Sequence, residues 1–120
     1  MGLIHTCIRV RDIDASLAFY KQLGFEVRGR LNFDTAYNVY LGLPGDRDRL
    51  ELTVNIGHDE PYELGDGYNH IAITVSELDS KLEELAEAGI EPDNPPYKVL
   101  GKPIRIAFVR DPDRQLQTLS

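Results

Sequence analysis

The chain repeats itself. Starting at His5 it reads His-Thr-Cys-Ile-Arg-Val-Arg-Asp-Ile-Asp-Ala-Ser-Leu, and starting at His70 it reads His-Ile-Ala-Ile-Thr-Val-Ser-Glu-Leu-Asp-Ser-Lys-Leu. A constant spacing of 65 residues links His5 to His70, Asp14 to Asp79, Gly24 to Gly89 and Glu26 to Glu91, with no gap. A duplicated module of this kind restricts the fold severely. Whatever the first half builds, the second half must build again, and each first strand opens with a histidine. Two copies related by a pseudo-twofold are expected to bring those imidazoles to one place, where a neighbouring carboxylate makes a metal site.

Each half, at roughly 55–60 residues, is marginal as an independent folding unit. The halves are therefore expected to pack on each other or on those of a second copy. All 120 residues read as one domain, with modules at about 1–57 and 68–120. The breaker-rich stretch 58–67, with Pro61, Gly65 and Gly67, links them. Residues 3–10 alternate between two faces as a half-buried strand does. Leu17, Phe19, Tyr20 and Leu23 then fall at helical spacing, with Asp12 or Asp14 as cap and Gly24 as a left-handed stop. The second copy offers Ser76 and Asp79 as a capping box, Leu78, Leu82 and Leu85 as a helix stripe, and Gly89 as the stop. Extended segments are expected at 25–31, 36–43 and 49–56, and again at 97–100, 104–110 and 115–119. The fold class is α+β: two βαβββ modules, each sheet curved around a concave groove.

The formal net charge of −7 gives no footprint for nucleic acid or an anionic membrane. No apolar run approaches the ~20 residues of a membrane span, and no secretory signal pattern opens the chain. The single cysteine, Cys7, suits a reducing cytoplasm and reads as a small packed thiol. His58 is expected to be exposed in the linker, and Glu77, Glu83, Glu84 and Glu87 to form a solvated helix face.

Strand alternation sorts the polar residues. His5 shares a face with Arg9, and Glu51 shares one with Thr53 and Asn55, opposite Leu50, Leu52 and Val54. With the apolar faces turned to the helices, the polar faces line the groove. His5, Glu51 and His70 then mark a divalent-metal end. Arg9 and Asn55 form a polar grip four residues along, about 13 Å away. Arg9 suits a carboxylate through forked hydrogen bonds. The layout fits an elongated acidic ligand whose reactive end reaches the metal.

These motifs resemble glyoxalase I (lactoylglutathione lyase), of the vicinal-oxygen-chelate superfamily. The likeness runs through His5-Thr6-Cys7-Ile8-Arg9-Val10, Ser16-Leu17-Ala18-Phe19-Tyr20, Leu50-Glu51-Leu52-Thr53-Val54-Asn55, the run from Tyr62 to Ala72, and Ala107 to Asp113. The resemblance implies a homodimer with metal sites between subunits. It implies His5, Glu51 and His70 as ligands, with Ni²⁺ or Co²⁺ favoured and Zn²⁺ possible. Glutathione is implied as co-substrate, its γ-glutamyl end held by Arg9 and Asn55, with Lys102 and Arg105 lying near where the family contacts its glycyl end. The implied reaction isomerises the methylglyoxal–glutathione hemithioacetal to S-lactoylglutathione, a detoxification.

The family's last strand carries a Gly after Asp-Pro-Asp and then a Glu that is both fourth ligand and base. This chain has Arg114 at the Gly, and Gln117 or Thr118 at the Glu, depending on whether one aligns with Leu50-Glu51-Leu52 or counts from Asp111-Pro112-Asp113. Gln117 is expected as the fourth metal ligand through its carbonyl oxygen, but neither side chain is a proton acceptor of the required kind. Glu51 remains as the catalytic carboxylate, and impaired turnover is expected. A final strand ending at Ser120 is expected to fray as an edge. The competing readings are a methylmalonyl-CoA epimerase-like enzyme and a protein of this fold that sequesters a small molecule, with or without metal.

Overall fold

Each of the two repeated histidines stands one residue ahead of a strand. In a computed structural model describing Met1–Ser120, His5 precedes β1 (Thr6–Arg9) and His70 precedes β5 (Ile71–Ile73). The chain divides into units Met1–Glu63 and Leu64–Ser120, a boundary inside the stretch read as linker.

The first unit continues through α1 (Ile13–Gln22), β2 (Glu26–Asn32), β3 (Ala36–Gly42) and β4 (Leu50–Asn55). Its sheet order is β1-β4-β3-β2, with β1 parallel to β4 and the other pairs antiparallel. The buried core draws Ile8 and Val10, Val39 and Leu41, and Leu50 and Leu52 from alternate strand positions, joined by Phe19, Tyr20 and Leu23 of the helix segment. That is the two-residue strand period meeting a helical stripe. Asp12 caps α1, its carboxylate accepting from the Asp14 and Ala15 amides. Gly24, at φ +102°, ends it in the left-handed conformation that glycine tolerates.

The second unit repeats the plan with α2 (Leu78–Glu87), β6 (Tyr97–Lys98), β7 (Arg105–Arg110) and β8 (Leu116–Leu119), in the order β5-β8-β7-β6. Position for position, β8 is the counterpart of β4. The expectation of a fraying last strand is overturned. β8 pairs with β5 on one side and β7 on the other, Leu119 is fully buried, and Ser120 exchanges backbone hydrogen bonds with Ile73 and Val75. The capping box also fails. The N-cap of α2 is Glu77, with no side-chain cap bond, and Asp79 instead accepts from both terminal guanidinium nitrogens of Arg105.

Candidate metal centre

In the first unit, β1 and β4 set Cys7 directly opposite Glu51 and Arg9 opposite Thr53. Cross-strand partners share a face, so His5, Cys7, Arg9, Glu51, Thr53 and Asn55 line the polar side, as the alternation predicts. His5 Nε2 lies 2.5 Å from Glu51 Oε2. Glu51 is only 7% exposed, whereas the His5 side chain remains partly open and stands edge-on to Tyr40. Arg9 is exposed and has no ion-pair partner.

Two features of this face were not visible in the sequence. Cys7 is exposed rather than packed, its Sγ 3.1 Å from Thr53 Oγ1, because it sits on the polar side of β1. Asn55 already donates to the Tyr62 hydroxyl at 3.0 Å. That tyrosine stacks on the exposed His58, so the linker returns over the grip residue.

In the second unit, His70 is exposed and meets Phe108 edge-on. Its Nδ1–H donates to Asn69 Oδ1 at 2.5 Å, which leaves Nε2 as the lone-pair nitrogen. The register of β8 decides the fourth position. Thr118 pairs with Ala72 on one side and with Phe108 on the other, which places it on the His70 face. Gln117 pairs with Ile71 and Val109 on the opposite face and is fully buried. Its Oε1 accepts from the Ile71 amide and the Tyr68 hydroxyl. Gln117 as a metal ligand is therefore corrected: it is the counterpart of Leu50, a core position, and Thr118 is the counterpart of Glu51. Thr118 is 5% exposed and its hydroxyl oxygen has no hydrogen-bond partner. Burial raises the Tyr68 phenol above its ordinary pKa, so it remains a donor to Gln117 at neutral pH.

A sequence model of the Glyoxalase/Bleomycin resistance protein/Dioxygenase superfamily matches residues 2–116. The chain belongs to this superfamily. A probable lactoylglutathione lyase of Vibrio cholerae is 37% identical over 116 residues, covering 92% of this chain and 83% of that protein. Glyoxalase I of Leishmania major, described as trypanothione-dependent, superposes with a TM-score of 0.83 at 31% identity, covering 99% of this chain and 85% of its own. Glyoxalase I of Zea mays gives a TM-score of 0.88 at 27% identity over 98% of this chain. This chain spans only 43% of the maize one.

Measured against a glyoxalase-superfamily metal site, the donors fit a divalent transition ion in kind: two imidazoles and a carboxylate. They are divided between the two units, however. No three His, Cys, Asp or Glu side chains form a metal-sized group. One chain assembles the His5–Glu51 pair, while His70 and Thr118 belong to the other unit. Thr118 contributes a neutral oxygen where a second carboxylate would supply charge. Arg105 is committed to Asp79 and is not a free cation for a ligand. No helix of the chain is long and apolar enough to cross a membrane.

Proposed function

We propose that this superfamily member is a glyoxalase I-type protein that acts on the hemithioacetal of methylglyoxal and glutathione. It would hold a divalent ion (Ni²⁺ or Co²⁺ by preference, Zn²⁺ as the alternative) through His5 and Glu51 of one copy and His70 of a second copy in a cytoplasmic homodimer. The observation that carries the proposal is the buried Glu51 against His5, on the face that also presents Arg9 and Asn55. The curated relatives and the solved glyoxalase I structures support the same reading.

The ion, when bound, supplies positive charge that stabilises a developing oxyanion. The chain's own residues supply the rest. Arg9 offers a fork of donors to a ligand carboxylate. Asn55 adds its amide once Tyr62 releases it. Glu51 is the carboxylate able to take the moving proton. Thr118 cannot accept that proton. The site thus has one carboxylate to do the work of ligand and base, and turnover is impaired. The same deficit favours a second reading, in which the protein sequesters a thiol adduct without converting it.

The deciding experiment follows S-lactoylglutathione formation with added Ni²⁺ or Zn²⁺ in the natural chain, Glu51→Gln and Thr118→Glu. Slow turnover in the natural chain, none in Glu51→Gln and a gain of about 100-fold in Thr118→Glu is the expected result. Metal binding and adduct binding without turnover in all three support sequestration. Failure to bind any of these ions refutes the metal reading.

A further inference from the structure

The strand β3 adds two polar side chains to the face that carries His5 and Glu51. Tyr40 pairs across the strands with Glu51, and Asn38 pairs with Thr53. We propose that these two residues form a subsite for a hydroxylated substituent, so that the aldehyde half of the best substrate is a hydroxylated 2-oxoaldehyde. This rests on the glyoxalase I reading and refines it.

Directly paired residues have β-carbons about 4.5–5.5 Å apart, which sets Tyr40 one strand away from the carboxylate that takes the proton. Its ring stands edge-on to His5, with centroids 6.1 Å apart. An elongated ligand running from His5 and Glu51 towards Arg9 and Asn55 lies over β1 and β4. The substituent at its reacting end therefore has the β3 side to occupy. That side has room. Gly29 pairs with Tyr40 from β2, and a β-carbon at Gly29 would meet nothing within 4 Å.

Hydrogen-bonding capacity selects the substituent. The Thr53 hydroxyl donates to Asn38 Oδ1 at 2.8 Å, with the Cys7 thiol 3.1 Å away, so its one proton is spent. Asn38, its oxygen engaged, keeps its Nδ2 donors for a ligand. The hydroxyl of the half-buried Tyr40 bonds to no other group of the chain. An alcohol answers both residues, accepting from the amide and exchanging a hydrogen bond with the phenol. A methyl group answers neither and displaces the water that would otherwise serve them. An ammonium cannot accept from the amide, and a carboxylate would stand beside the buried Glu51.

Two unreactive thioethers test the subsite by calorimetry on the full chain loaded with Ni²⁺: S-(3-hydroxypropyl)glutathione and S-propylglutathione. They differ by one hydroxyl at the end of the chain, where the reacting adduct carries its substituent. The natural chain is expected to bind the hydroxylated thioether about fivefold more tightly. Tyr40→Phe keeps the ring against His5 and removes only the hydroxyl, so the ratio should fall to about two or below, and Asn38→Leu should lower it likewise. Damage to the fold or to the metal would weaken both ligands together, so the ratio reports the subsite itself. Equal affinities in the natural chain, or a ratio that Tyr40→Phe leaves unchanged, overturns the subsite and leaves the glyoxalase I reading in place. Binding of neither thioether overturns the glutathione reading and this one with it.

Discussion

Thr118 keeps a buried hydroxyl that bonds to nothing, on the face where the repeat places Glu51 in the other unit. A buried polar atom without a partner costs about 1–3 kcal/mol. Replacing it with the isosteric Thr118→Val should therefore stabilise the protein by about 1 kcal/mol, read as a higher urea midpoint at unchanged slope. The neighbouring position behaves oppositely. Gln117→Glu puts a charge into a fully buried site whose oxygen already serves Tyr68 and Ile71, and should cost about 3 kcal/mol or more. If Gln117→Glu were instead neutral in stability and raised metal affinity, the assignment of faces would be wrong. A third residue acts at one remove. Asn69 fixes the His70 tautomer, so Asn69→Ala should weaken Ni²⁺ binding about 10–100-fold by calorimetry, with little change in unfolding.

The elements show which kinds of sequence signal could be read directly. The alternation of β1 and β4 and the stripe of α1 place their buried residues where the periods require, and the capping bonds of Asp12 follow. The polar face of His5, Arg9, Glu51 and Asn55 is legible for the same reason: a period of two leaves no choice of side once the apolar residues are inside. Register is less legible. Leu116-Gln117-Thr118-Leu119 has no clean alternation, so composition alone could not say whether Gln117 or Thr118 faces the site; pairing with β5 and β7 decides it. The α2 cap is not legible because the helix begins one residue later than the Ser76–Asp79 spacing demands, and because Arg105, distant in sequence, captures Asp79. Asp12→Ala should cost about 1 kcal/mol, whereas Glu77→Ser should gain a few tenths to about 1 kcal/mol by giving α2 the cap it lacks. The hydrogen bonds from Arg105 lower the Asp79 pKa. Its stabilising contribution is therefore present above the unfolded carboxylate value, roughly 3.9, and is lost as pH falls through the lower folded value. Asp79→Asn should remove that part of the acid limb in a pH–melting profile.

For the whole molecule, the duplicated sequence yields two units with one topology, and the donors are divided between them. That division makes the proposed assembly testable without a structure of the complex. If His5 and Glu51 of one copy share an ion with His70 of a second copy, a C2 dimer carries two equivalent sites. His5→Ala and His70→Ala should each abolish tight metal binding. Mixed after unfolding and refolding together, they should complement each other. Half of the dimers would be mixed, each with one site that has lost both histidines and one that is intact, so about a quarter of the wild-type metal should return. Mass action adds a second signature. Chelation should lower the melting temperature, since an ion at 100 times its Kd contributes about 2.7 kcal/mol, and the loss should deepen at low protein concentration because a shared ion is lost along with the dimer. An ion held wholly within one chain gives no complementation at any mixing ratio and no dependence on protein concentration. That pattern would rule out the shared site while leaving the His5–Glu51 pair intact.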